Sequence, residues 1–139
     1  MNVREAVPFF AVADMTASLR FYVDGLGFQR TNSWIVDDAI RWCWLRLDGV
    51  SLMLQQFTTA GDEARTFSGT RGEGVSICLM CDDAIAIYHL AKSRGLAAAR
   101  PFVGNGLWVT SLRDPDGYRL DFESPTDVAE ETEYTDPAE

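Results

Sequence analysis

Three groups of side chains in this sequence have the types and spacing to do chemistry. The first is Arg119, Asp121 and Glu123, alternate residues of one short stretch. Alternate residues of a strand point to the same side, so the two carboxyls would stand about 6–7 Å apart at the rise of a strand. That is near enough to share acid and base work if burial raised one of them. The plainer expectation is that Glu123, near a strand end, is solvated and that Asp121 pairs with Arg119. The second group is Phe9, Trp42, Trp44 and Trp108, rings on which a planar molecule could stack. The third is Cys78 and Cys81, with CxxC spacing. No second pair accompanies them and their segment alternates like a strand, so small buried hydrophobes are expected there rather than a zinc or redox site. His89, the one histidine, follows Tyr88 in a helical stretch and is expected to be partly exposed or packed on a neighbour.

The elements that must position these residues come in two copies. Val7 to Asp14 is a short apolar strand ending in Asp, followed by a helical stretch that stops at Gly27; Val75 to Asp82 and Gly95 have the same outline. Asp14 and Asp82 are 68 residues apart, as are the turns Asp48-Gly49 and Asp116-Gly117. One offset at both ends of each copy predicts a gapless duplication. Asp14, and Asp82 or Asp83, are the expected helix caps. Gly27 and Gly95 are the expected stops, because glycine tolerates the left-handed conformation. Two or three strands should follow each helix. The expected organisation is module one over 5–57, a polar linker over 58–73, module two over 74–125 and an acidic tail over 126–139.

Strand parity sorts the apolar residues into two faces. Phe10, Val12, Cys43, Leu45, Leu47, Leu52, Leu54, Cys78, Met80, Val109, Leu120 and Phe122 form a wholly apolar set, expected to face the helices. Phe9, Trp42, Trp44, Met53, Gln55, Ile77, Trp108, Thr110, Arg119, Asp121 and Glu123 belong to the other set, with Val7, Ser51, Val75 and Leu79. An apolar wall with a few convergent polar groups suits a small-molecule site. It also suits a subunit interface, which favours Trp and Arg. Tyr22, Tyr88 and Arg46 are left open between site and core.

Composition narrows the function classes. Apolar residues make up 47% of 139, enough for one folded domain. The net charge is -9, and the tail holds Asp127, Glu130, Glu131, Glu133, Asp136 and Glu139 without a Lys or Arg. An acidic body does not attract a phosphate backbone, so no nucleic-acid partner is expected. The tail is expected to be a solvated end. No apolar run approaches the roughly 20 residues of a membrane helix, and Met1 to Ala6 does not resemble a signal peptide. With an odd number of cysteines, a cytoplasmic location is expected and no membrane partner.

The run Ala13-Asp14-Met15-Thr16-Ala17-Ser18-Leu19-Arg20-Phe21-Tyr22, leading to Gly25-Leu26-Gly27-Phe28, strongly resembles the glyoxalase/bleomycin-resistance/dioxygenase (vicinal oxygen chelate) superfamily. Asp114-Pro115-Asp116-Gly117-Tyr118-Arg119-Leu120-Asp121-Phe122 is similar to that family's closing strand. The resemblance extends to about Pro125. It implies an α+β fold, two tandem βαβββ modules forming a curled mixed sheet around a cleft with the helices outside, usually as a homodimer. Family members that use a metal carry ligands on the first and last strands of each module. Those positions here are Val7, Val75, Met53 and Asp121, of which only Asp121 is a suitable donor. Shifting the first-strand positions by one brings Pro8 and Ser76, which are no better. No metal and no cofactor are expected, and metal-dependent glyoxalase or extradiol dioxygenase activity is disfavoured.

The resemblance then implies a protein of the bleomycin-resistance type, sequestering an aromatic or cationic small molecule. The expected ligand residues are Phe9, Trp42, Trp44, Met53, Gln55, Ile77, Trp108, Arg119, Asp121 and Glu123. The alternatives are a metal-free lyase, isomerase or dioxygenase-like enzyme using Asp121 and Glu123 as acid and base, and a structural or regulatory dimer.

Overall fold

The structure is a computed structural model and describes residues 1–57 and 69–137. Residues 58–68, most of the expected linker, lie outside the described residues. The chain divides into two compact units, Met1–Gly69 and Thr70–Glu139. Each contains a βαβββ module built on a four-stranded mixed sheet, and the fold is α+β as expected.

In the first unit, β1 (Phe9–Val12) leads to helix α1 (Met15–Leu19), which continues as a π-helical turn over Arg20–Gly25. Strands β2 (Gln29–Val36), β3 (Ala39–Leu47) and β4 (Val50–Gln56) follow. The sheet order is β1-β4-β3-β2, with β1 parallel to β4 and the other pairs antiparallel. Asp14 caps the helix, its carboxylate accepting from the Ala17 N–H. The Gln56 side-chain oxygen accepts from the Met15 N–H at 2.7 Å, which ties the helix start to β4. The Cys43 thiol meets the Met15 sulfur on the same side of the sheet. Phe10, Val12, Cys43, Leu45, Leu52 and Leu54 are all buried there, as their parity predicts. Tyr22 is fully buried, edge-on to Phe21 and Phe28.

The second unit repeats the plan. It has β5 (Ser76–Met80), α2 (Ala84–Ser93), β6 (Phe102–Gly104), β7 (Leu107–Arg113) and β8 (Arg119–Pro125), with sheet order β5-β8-β7-β6. Two hydrogen bonds fix the helix to its sheet. The Thr110 hydroxyl donates to the Ala84 carbonyl at 2.7 Å, and the Ala84 N–H donates to the Ser124 hydroxyl at 2.9 Å. Gly27 and Gly95 take positive φ, as expected of helix stops.

The duplication is not gapless. The cap of α2 is Asp83, whose carboxylate accepts from the Ala86 N–H at 3.0 Å, so the span from cap to stop is one residue shorter than in the first unit. The extra residue in the first helix is absorbed by the π turn, where the Leu26 N–H reaches back five residues to the Phe21 carbonyl. A second adjustment lies in the β7–β8 turn. Arg46 pairs with Ser51 across the first turn, whereas Arg113 pairs with Arg119 across a turn one residue longer. A shift of one residue turns every side chain of a strand to the other face. It does so in β5 and β7. Leu79 and Thr110, expected away from the helix, are buried on the helix side, and Cys78, Met80 and Val109 lie on the opposite face.

The segment after β8, expected to be a solvated end, packs on the second unit. The Val103 N–H donates to Thr132 and the Tyr134 N–H to Pro101, so the chain pairs along the open edge of β6. An edge strand offers unpaired backbone groups, and this segment satisfies them. Tyr134 packs edge-on against Trp108 and Tyr88. His89 holds the same segment, with Nε2 3.1 Å from the Tyr134 hydroxyl and Nδ1 3.8 Å from Asp136. Among the described residues, no helix is long and apolar enough to cross a membrane.

Candidate functional site

In each unit one sheet face packs on the helix and the other carries the side chains with chemical potential. In the first unit that other face is aromatic. Pairing sets Phe9, Met53, Trp44 and Asn32 in one row across β1, β4, β3 and β2, and Ala11, Gln55, Trp42 and Trp34 in the next. Residues directly opposite share a face. The face therefore presents three indoles and the Phe9 ring, with Phe57 6.2 Å from Phe9. Phe9 is 44% exposed and Trp34 41%, an uncommon exposure for rings this large on a sheet. At its margin the Arg46 guanidinium donates to the Ser51 hydroxyl at 3.0 Å.

Trp34 is absent from the residues expected by sequence. Counting back across the Asp37-Asp38 turn pairs it with Arg41. A register shift between Trp34 and Ile35 sets it opposite Trp42 instead. The freed Arg41 side chain donates to the Gln56 carbonyl.

The corresponding face of the second unit is polar. Its rows are Ser76, Arg119 and Arg113; then Cys78, Asp121 and Ser111; then Met80, Glu123, Val109 and Phe102. Asp121 is buried, and its Oδ1 accepts from the Ser111 hydroxyl at 2.6 Å and from Arg119 Nε at 2.9 Å. Arg119 and Asp121 are thus the ion pair that the plainer sequence expectation described. Glu123 is half-buried one step along the strand. The structure brings Phe9, Trp42, Trp44, Met53 and Gln55 together on the first face, and Arg119, Asp121 and Glu123 together on the second. It does not bring Ile77 or Trp108 to either. Ile77 sits opposite Leu120 on the helix side of β5, and Trp108 lies on the helix side of β7 against Tyr134, both through the one-residue shifts described above.

Cys78 joins Asp121 and Glu123 through the same shift, so it is not the buried small hydrophobe expected. The three donor atoms lie within 4.8 Å of one another. They do not form a convincing metal centre. Asp121 Oδ1 already serves two donors, one of them a cation. The Cys78 thiol is held above its ordinary range by partial desolvation and then by the Glu123 and Asp121 carboxylates, so its proton is the harder for an ion to displace. The family's ligand positions fare no better. Met53 belongs to the aromatic face, and counting seven residues back from the cap, as Val7 is from Asp14, the cap at Asp83 moves the first-strand position of the second unit from Val75 to Ser76. These residues do not fit a catalytic divalent metal.

Two clefts open on the polar face. One, of about 660 Å³, is lined by Ala97, Ala98, Ala99, Phe102, Ser111, Arg113 and Arg119. The other, of about 510 Å³, lies by Gly72, Glu73, Gly74 and Ser76 and shares Arg113 and Arg119.

The sequence matches the family described as Glyoxalase/Bleomycin resistance protein/Dioxygenase superfamily over residues 6–122. No curated protein matches it. Among solved structures it is similar to TnmS3, an antibiotic binding protein from Streptomyces sp. CB03234, with 22% identity and a TM-score of 0.69 over 91% of this chain and 99% of that one. It is similar to TioX from Micromonospora sp. ML1, with 18% identity and a TM-score of 0.70 over 88% and 99%. It is also similar to a bleomycin resistance determinant encoded on the transposon Tn5, with 22% identity and a TM-score of 0.66 over 91% and 100%.

Proposed function

This chain belongs to the glyoxalase/bleomycin resistance protein/dioxygenase superfamily, and from that premise we propose that it sequesters a bulky planar aromatic compound without a metal. The observation that carries this reading is the aromatic sheet face of the first unit, with Phe9 and Trp34 exposed and Trp42 and Trp44 half-buried beside them. Stacking on such rings contributes about 0.5–1.5 kcal/mol each beyond the area buried, and Gln55 beside them supplies an orienting amide. The names of two similar structures, an antibiotic binding protein and a bleomycin resistance determinant, agree with a binding role. The case for a cationic ligand weakens, because Arg119 already neutralises Asp121 and the Glu123 carboxylate is hydrogen-bonded to the Cys78 thiol. Acid–base catalysis by Asp121 and Glu123 weakens for the same reason, since Asp121 is engaged as an acceptor.

The test is a tryptophan-fluorescence titration against planar antibiotics and aromatic metabolites. We expect saturable quenching that a chelator leaves unchanged. Trp44→Ala should weaken binding about 2- to 10-fold on the stacking energy, while Trp108→Ala, whose ring packs on Tyr134, should not. Silence toward every compound, or quenching that a chelator abolishes, would overturn the reading. If the face instead buries itself in a homodimer, sedimentation would show Trp34→Ser shifting the oligomeric state with no ligand present.

A further inference from the structure

The geometry points to a second recognition element, in the 660 Å³ cleft of the second unit, that binds the carboxylate of a small apolar acid. The argument starts from a pair of like charges. Arg113 and Arg119 stand directly opposite each other on β7 and β8, both on the face away from α2. Like charges in such a pair are destabilising by themselves. Among the described residues, Asp121 is the carboxylate paired with them, on the Nε side of Arg119, while Glu73 lines the neighbouring cleft that both arginines border. Arg113 donates from Nη1 to the Gly117 carbonyl, a neutral group. A guanidinium carries five donors in a fixed fork. Among the described residues, the Nη1 end of Arg119 and the Nε and Nη2 groups of Arg113 therefore remain for an anion, and the Ser111 hydroxyl, which donates to Asp121 and accepts from Arg119 Nη2, positions the Arg119 guanidinium.

The rest of the cleft sets the body of the ligand. Ala97, Ala98 and Ala99 run along one wall, their methyl groups leaving the room that larger side chains would fill. This wall is fixed to β7 by the Ala99 N–H, which donates to the Ser111 carbonyl, and by the bridge between Ala98 and Leu112. Phe102, 39% exposed, closes another side. A cationic end and an apolar trough together select an acid with an aromatic or branched body. The first unit lacks the device: the residues matching Arg113 and Arg119 are Arg46 and Ser51, which satisfy each other.

The probe is 1-naphthoate, titrated into the full chain and followed by amide and arginine Nε shifts in ¹H–¹⁵N spectra. Shifts are expected at Ala98, Ser111, Arg113 and Arg119. The neutral 1-naphthylmethanol should bind at least fivefold more weakly, and added salt should weaken naphthoate, because its head group is an ion. Arg113→Gln, at an exposed position that leaves the Arg119–Asp121 pair intact, should weaken it at least fivefold; Ser111→Ala is a second, smaller lesion. Trp44→Ala should leave these shifts unchanged, so loss of the aromatic face and loss of this cleft are separable. The proposal is overturned if naphthoate perturbs only first-unit amides, if the alcohol binds as well as the acid, or if Arg113→Gln binds like the parent.

Discussion

The two units place different chemistry on one frame. On the helix side, Leu45, Cys43, Leu52 and Leu54 of the first unit correspond to Leu112, Thr110, Leu120 and Phe122 of the second, and all eight are buried. On the other side, Phe9, Met53, Gln55, Trp42 and Trp44 correspond to Cys78, Asp121, Glu123, Val109 and Ser111. A core position must match its neighbours in volume and polarity, so its choices are few. The face away from the helix carries no such constraint, and there one copy has become a stacking surface and the other a network of ions and hydroxyls. Function in this fold is written on the face that packing leaves free.

Substitutions at matched positions test how far the likeness goes. Leu52→Ala and Leu120→Ala remove equivalent, fully buried side chains, and each should cost about 2–5 kcal/mol in urea unfolding. If one is nearly silent, the two cores are not equivalent. A titratable difference comes next. Burial pushes the Cys43 thiol up to about 11, whereas its counterpart Thr110 does not ionise. The folded state then holds its proton where the unfolded chain has released it. Stability should be unaffected at neutral pH and fall by about 1.4 kcal/mol per unit from about pH 9 to about pH 11. Thermal melts of Cys43→Ala should show a shallower alkaline slope, with the remainder from the raised Cys78 and Cys81 thiols; an unchanged slope would place its origin elsewhere. The smallest effect concerns the caps. Asp14→Ala and Asp83→Ala should each cost about 1 kcal/mol, and Asp82→Ala close to nothing. A cost at Asp82 equal to that at Asp83 would restore the gapless repeat.

Much of this was legible before any coordinates. The paired anchors Asp14–Gly27 and Asp48-Gly49, with their counterparts, announced two modules, because capping and turn geometry demand particular residue types. In β1, β3, β4 and β8, parity sorted core from surface correctly, since those strands keep the register that the turns imply. Trp42, Trp44, Phe9, Met53 and Gln55 therefore emerged as one set. Parity failed in β5 and β7, the strands next to a one-residue length change, and it failed for Trp34, next to a register shift in β2 and β3.

The sequence by itself determined the duplicated βαβββ plan, the first helix cap and both helix stops, the apolar helix-facing sides of most strands and the Arg119–Asp121 pair. These follow from local chemistry and from alternation within one strand. Only the tertiary structure decided which strand absorbs an odd residue: the π turn against the shorter second helix, the longer turn before β8, and the bulge at Arg41. Those choices depend on hydrogen bonds between strands far apart in sequence. Through them it decided that Cys78 would stand beside Asp121, that Trp108 would turn to Tyr134, and that Arg113 would face Arg119.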